Sequence, residues 1–193
     1  MALKIKLANS CDQADVLGWL VTEENLDQQL ANLPVKIENL NQIITDRKFK
    51  AGKGSLLAVP LVGEQYKYLF LVGLGKKKLT EPFVENLRRA VAELVRASES
   101  YSAQTVAINL PNAQLFGVTQ DYLVEHVIVS AQLANHKFDT YLTDANKKEA
   151  NLVVTFVVDG NLDKLQIAVD KAQALAEAVN QTRRCVDFPP NNL

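Results

Sequence analysis

The 193-residue sequence is poor in the side chains that most often build metal and nucleophile sites: it has two histidines, two cysteines and only 7% aromatic residues. His126 and His136 lie ten residues apart on one predicted helix. Ten residues turn a helix by roughly 280° net, so the two imidazoles do not share a face. There is no His-Glu-x-x-His and no Cys-x-x-Cys, and so no signature of a zinc site. The expectation is one exposed and one boundary histidine. Cys11 falls in the polar stretch Asn9–Gln13, and Cys185 follows Arg183 and Arg184 near the end of a helix. The arginines would lower a thiol pKa, but a helix C-terminus opposes them and no base stands nearby. Both cysteines read as reduced thiols without a catalytic role. No Gly-x-Ser-x-Gly elbow is present. Nor does any apolar run reach the roughly 18 residues that span a bilayer. Met1–Ser10 lacks the long apolar core of a signal peptide, so the expected location is the cytoplasm. Lys plus Arg number 21 and Asp plus Glu 22, a net charge of −1. That balance argues against a general polyanion binder, whose affinity needs a clustered positive field.

What is present is alternation of strands and helices in a length that suits one domain. A chain of this size can bury roughly 70% of its unfolded surface and needs no staples. Strand patterns cover Lys4–Ala8, Asp15–Thr22, Leu56–Val62, Tyr66–Leu74, Gln104–Leu110 and Leu152–Val158. The runs either side of Gly63 are close enough for a hairpin, and Pro60 assigns the first of them to an edge or to its own end. Short helices are predicted around Leu26–Leu33 and Leu40–Ile44, divided by Pro34. A longer one starts after Thr80 as N-cap, with Phe83, Leu87, Ala90, Val91 and Leu94 on one face. The helix from about Asp121 to His136 is apolar nearly all round and should be heavily buried. The pattern predicts an α/β fold of three layers, helix–sheet–helix, with a mixed sheet.

The last helix is the longest. Asn161 is its predicted N-cap, and the run Leu162–Val186 would extend about 37 Å. Its apolar stripe runs from Leu165 to Val179 and then gives way to Thr182 and Arg183. Val186 and Phe188 reappear beside Pro189-Pro190, which ends the helix. Apolar residues there, beyond the core's reach, lead us to expect a neighbour that covers them, a further domain downstream; a frayed tail is the alternative reading.

Between a strand and a helix lies Leu71-Val72-Gly73-Leu74-Gly75-Lys76, a turn whose N–H groups suit an anion. A Gly-x-Gly without its third glycine is a weak form of that signal. Lys76-Lys77-Lys78 and Lys147-Lys148 are the candidate nucleic-acid contacts, although a solvated loop is the commoner use of such runs.

Three segments together resemble one family. Leu69–Lys77 (LFLVGLGKK) resembles the strand and turn in the N-terminal domain of leucyl, or cytosol, aminopeptidases. His136–Tyr141 (HKFDTY) is similar to the Phe-Asp-x-Tyr that follows a helix there. Asn180–Leu193 (NQTRRCVDFPPNNL) resembles the family's Asn-x-x-Arg-Asp-Leu-Val-Asn-x-Pro-Pro-Asn-x-Leu, matching at Asn180, Arg183, Val186, Pro189, Pro190, Asn191 and Leu193. Arg184 stands where Asp is usual and Asp187 where Asn is usual.

The resemblance implies a macro-like domain over residues 1–160, a long interdomain helix over 161–188, and the first residues of a catalytic domain over 189–193. It implies a parent that removes N-terminal residues from peptides with two divalent ions, manganese or zinc, held by Lys, Asp and Glu. None of those ligand motifs lies in this sequence, so no catalytic, cofactor or metal residue is assigned. The implied partners are a C-terminal catalytic domain of the same chain and further copies in a hexamer. No membrane partner is expected, and with a net charge of −1 any nucleic-acid binding is expected to be weak and salt-sensitive. The implied role is assembly or regulation. The alternative is a standalone macro-like module that binds a nucleotide or ADP-ribose at Gly73–Lys76, or nucleic acid.

Overall fold

In a computed structural model, the residues described are 3–63, 65–77, 83–138, 140–143 and 151–189. The Thr80 cap with Glu81 and Pro82, Lys78, Asp139, Lys147-Lys148 and Pro190–Leu193 lie outside them.

Six strands form one sheet: β1 (Lys4–Ala8), β2 (Ala14–Val21), β3 (Leu56–Pro60), β4 (Tyr66–Gly73), β5 (Thr105–Asn109) and β6 (Val153–Val157), in the order β1-β6-β5-β2-β4-β3. Every pair is parallel except β3 with β4. The expected hairpin is that antiparallel pair, with Pro60 at the end of an edge strand, where its missing N–H costs no ladder bond. The sheet is mixed, and helices cover both of its faces.

Side-chain alternation along the strands sorts the core into two clusters. Val16 and Leu20 of β2, Phe70 and Val72 of β4, Ile108 of β5 and Phe156 of β6 point to one face. They meet three helices, α3 (Phe83–Ser100), α4 (Gln120–Ala134) and α5 (Leu162–Asp187). Leu17, Val21, Leu57, Leu69 and Leu71 point to the other. There they meet the short helices α1 (Leu26–Ala31) and α2 (Leu40–Asp46), together with Phe49 and Ala51. α4 packs between α3 and α5, which explains a helix apolar on most sides: Leu123, Val124, Val127, Ile128 and Ala131 are all buried. Gly18 lets α3 cross β2 closely, since a Cβ there would meet Leu94 Cδ1 at 2.3 Å.

Element boundaries follow the predicted pattern within about two residues. β3 is shorter than the apolar run because Leu61 and Val62 belong to the hairpin bend. One element has no predicted counterpart, a 3-10 turn over Ala113–Phe116 capped by the Asn112 side chain and closed by Gly117 at φ 69. A single turn is too short to show periodicity. The long helix is 26 residues, about 39 Å by helical rise. The Asn161 side chain accepts from the N–H groups of Asp163 and Lys164, as an N-cap does.

Candidate functional site

Two places were singled out by the sequence: the glycine turn after β4 and the far end of α5. The turn is built for packing. Gly73 N donates to Ser55 O at 2.8 Å, Leu74 N to Val21 O at 2.7 Å and Gly75 N to Ala51 O at 2.9 Å. A Cβ on Gly73 would lie 2.2 Å from Gly52 O, so only glycine lets residues 51–55 lie against the strand end. Gly75 has φ +73, which also favours glycine. Both glycines are thus accounted for without a ligand, and the N–H groups of Gly73, Leu74 and Gly75 already have carbonyl acceptors.

Charge at the turn is also committed. Lys76 Nζ lies 3.8 Å from a Glu23 carboxylate oxygen, and Lys77 N donates to Glu24 Oε1 at 3.2 Å. The Lys77 ammonium donates to Leu115 O at 2.7 Å, in the 3-10 turn that the sequence did not announce. Glu23, Glu24 and Asp27 line the adjoining depression with Lys50 and Lys76. The candidate anion cradle at Gly73–Lys76 therefore has its Gly73, Leu74 and Gly75 N–H groups engaged by carbonyls and three carboxylates in the adjoining depression, which disfavour a phosphate there.

The histidines need one correction. Both are half-buried, and neither is exposed. His126 stacks on Tyr122 with ring centroids 4.1 Å apart. Burial, then the Arg88 guanidinium, holds its pKa below the ordinary value, so it is neutral at pH 7. His136 lies just past α4. Cys11 is half-buried, Cys185 is exposed, and both are free thiols. Among the described residues no group of three or more His, Cys, Asp or Glu side chains is placed to hold a metal ion.

At the far end, the buried stripe of α5 stops at Ala176 and residues 181–187 are all exposed, with Val186 at 80%. These last two turns are not bare of contacts. Asn180 Nδ2 donates to Gln132 O at 3.3 Å and Arg183 Nη1 to Leu133 O at 3.1 Å. His136 Nε2 lies 3.7 Å from Asp187 Oδ2. Phe138 meets Phe188 edge-on, centroids 5.3 Å apart and planes at 86°, and the Tyr141 ring also packs on Phe138, centroids 5.7 Å apart. The segments HKFDTY and NQTRRCVDF therefore touch, through pairs about 50 residues apart in sequence. The sequence showed Arg183 in a stripe position but not what it would bind. Its target is a backbone carbonyl, which no side-chain pattern reveals.

With this geometry in hand, the chain compares with known proteins as follows. The N-terminal domain model of the cytosol aminopeptidase family matches residues 20–145. A probable cytosol aminopeptidase of Sulfurihydrogenibium sp. is 28% identical over 184 residues, covering 93% of this chain and 36% of that protein. One from Prochlorococcus marinus is 29% identical over 189 residues, covering 94% and 36%. The chain thus spans about a third of the length of the curated relatives it matches. A tomato leucine aminopeptidase mutant superposes with TM-score 0.74 at 16% identity, over 99% of this chain and 39% of that one. The macro domain of ganglioside induced differentiation associated protein 2 superposes with TM-score 0.63 at 12% identity, over 90% and 84%. At such identities the superpositions speak for the fold alone. The match across most of the chain carries the family: this protein belongs to the cytosol aminopeptidase family, in which it corresponds to the N-terminal domain.

Proposed function

We propose that this chain is the non-catalytic N-terminal domain of a cytoplasmic leucyl aminopeptidase and contributes to the assembly or regulation of the whole enzyme. The observation that carries the reading is the family match over residues 20–145, in a chain whose described residues offer no metal cluster. The parent would remove N-terminal residues from peptides. Its two divalent ions, manganese or zinc, would polarise the scissile carbonyl and lower the pKa of water. Residues outside this sequence would hold them.

The partner in this reading is the C-terminal catalytic domain of the same chain, with further copies in a hexamer. Three features of the α5 end support it. Val186 on α5 is exposed, Tyr141 and Leu142 shortly after Phe138 are exposed too, and Arg183 and Arg184 are exposed on the same helix end as Val186. Aromatic and arginine side chains around an apolar centre are the usual makings of an interface. In this reading residues 1–160 are the macro-like domain, 161–188 the interdomain helix and 189–193 the first residues of the catalytic domain.

The test is direct. The purified chain is incubated with a leucine anilide and Mn²⁺ or Zn²⁺, and no release of the aniline is expected. Metal-dependent turnover that stays with the chain through further purification overturns the proposal.

A further inference from the structure

The last third of α5 outruns the core, yet it meets one short segment, Gln132–Phe138, where α4 ends, through two hydrogen bonds, a ring contact and the approach of His136 to Asp187. We propose that this segment is a clamp, and that Asn180 and Arg183 are positioning residues that set the direction in which α5 leaves the body of the protein.

The physical reason begins with α4. Its last turn carries the negative end of the helix dipole, and its carbonyls are short of intrahelical N–H donors, although Leu133 O also accepts from His136 N at 3.4 Å. Gln132 and Leu133 lie in that last turn. The Asn180 amide and the Arg183 guanidinium donate to those two carbonyls from the neighbouring helix, at 3.3 and 3.1 Å. The positive charge of Arg183 is thus at the favourable end of α4. Arg183 lies three positions after Asn180, so both fall on the side of α5 that its buried stripe occupies one turn earlier. They continue the stripe as polar pegs where apolar contact has run out.

The remaining two contacts lie further along in the same order. His136 faces Asp187 at 3.7 Å, and Phe138 abuts Phe188 at 5.3 Å. Contacts 132–180, 133–183, 136–187 and 138–188 run in register, the segment advancing along the helix. A helix end held only by its own hydrogen bonds frays. One gripped at successive turns keeps a fixed heading. The clamp thus converts the packing of α4 into the heading of the last turns of α5. The proposal concerns this chain's own helix and stands whether or not the aminopeptidase reading does.

Cys11 and Cys185 allow the test in the chain as it is. Both thiols are labelled with nitroxides and the distance between them is measured by pulsed electron resonance. The wild-type chain should give one narrow distribution. The Asn180→Ala, Arg183→Ala double variant should give a broadened one. Amide exchange over 181–188 should rise at least tenfold in that variant, while exchange over 165–176 stays unchanged. Asn180→Ala with Arg183→Lys, which keeps a cation at the carbonyl, should restore most of the narrowness. If the double variant does not fold, Phe188→Ala serves in its place with the same expected broadening. A broad wild-type distribution overturns the proposal. So does a distribution that stays narrow in the folded variants.

Discussion

Asp15, at the start of β2, ties three strands with one carboxylate. Its Oδ2 accepts from the N–H groups of Gln104 and Thr105 at 2.8 and 3.0 Å, and its Oδ1 faces Lys67 Nζ at 2.7 Å. Partial burial alone would raise its pKa. The Lys67 ammonium and the two N–H donors outweigh that and bring it down from 3.8 to about 2. A carboxylate held lower in the folded state stabilises at pH values above its unfolded pKa, and that contribution is lost as pH falls from about 4 toward 2. We expect Asp15→Asn to cost about 1 kcal/mol at pH 7, the full linkage value being discounted for the solvent around Lys67. The difference from wild type should vanish near pH 2. Urea midpoints measured from pH 7 to pH 2 test this, and a pH-independent difference counts against it. None of this was legible in the sequence, where Asp15 is one acidic residue before an apolar run. Its partners are backbone groups 89 and 90 residues away.

Among the elements, the strands and long helices could be read from their periodicity, because burial on one face forces the pattern. β2 shows it at the scale of single residues: Leu17 and Val21 reach one cluster, Val16 and Leu20 the other. The cap of α5 was equally legible, since Asn before an apolar-periodic run has a local physical cause. Asn161→Ala should lower stability by about 1 kcal/mol, with most of the change in amide exchange confined to the first turn of α5. Equal exchange in the two proteins would contradict the cap. The 3-10 turn at Ala113–Phe116 was not legible. Nor was the use of Gly73, which answers to Ala51 and Gly52 across a tertiary contact rather than to any ligand. A Gly-x-Gly pattern states that the backbone comes close to something. It does not state to what.

For the molecule as a whole, the core ends before the chain does. Phe156 is fully buried in the sheet, while Val186 on α5 is 80% exposed. Phe156→Ala should cost about 3–5 kcal/mol through the cavity it leaves. Val186→Lys should change stability by less than about 0.5 kcal/mol, as an exposed site does. Thermal or urea unfolding of the two variants measures the contrast, and a large loss from Val186→Lys would mean that the core extends further than described. The sequence by itself determined the elements, their alternation, the edge position of β3 and the overreach of the last helix. Each of these follows from local chemistry: side-chain period, proline's missing N–H, and the length of a stripe. Only the tertiary structure decided that the glycine turn has no free donors at Gly73, Leu74 and Gly75. It also decided that three helices share one face of the sheet, and that the end of α4 grips the end of α5. Those outcomes depend on backbone groups far apart in the chain, and a backbone carbonyl is the same in every residue.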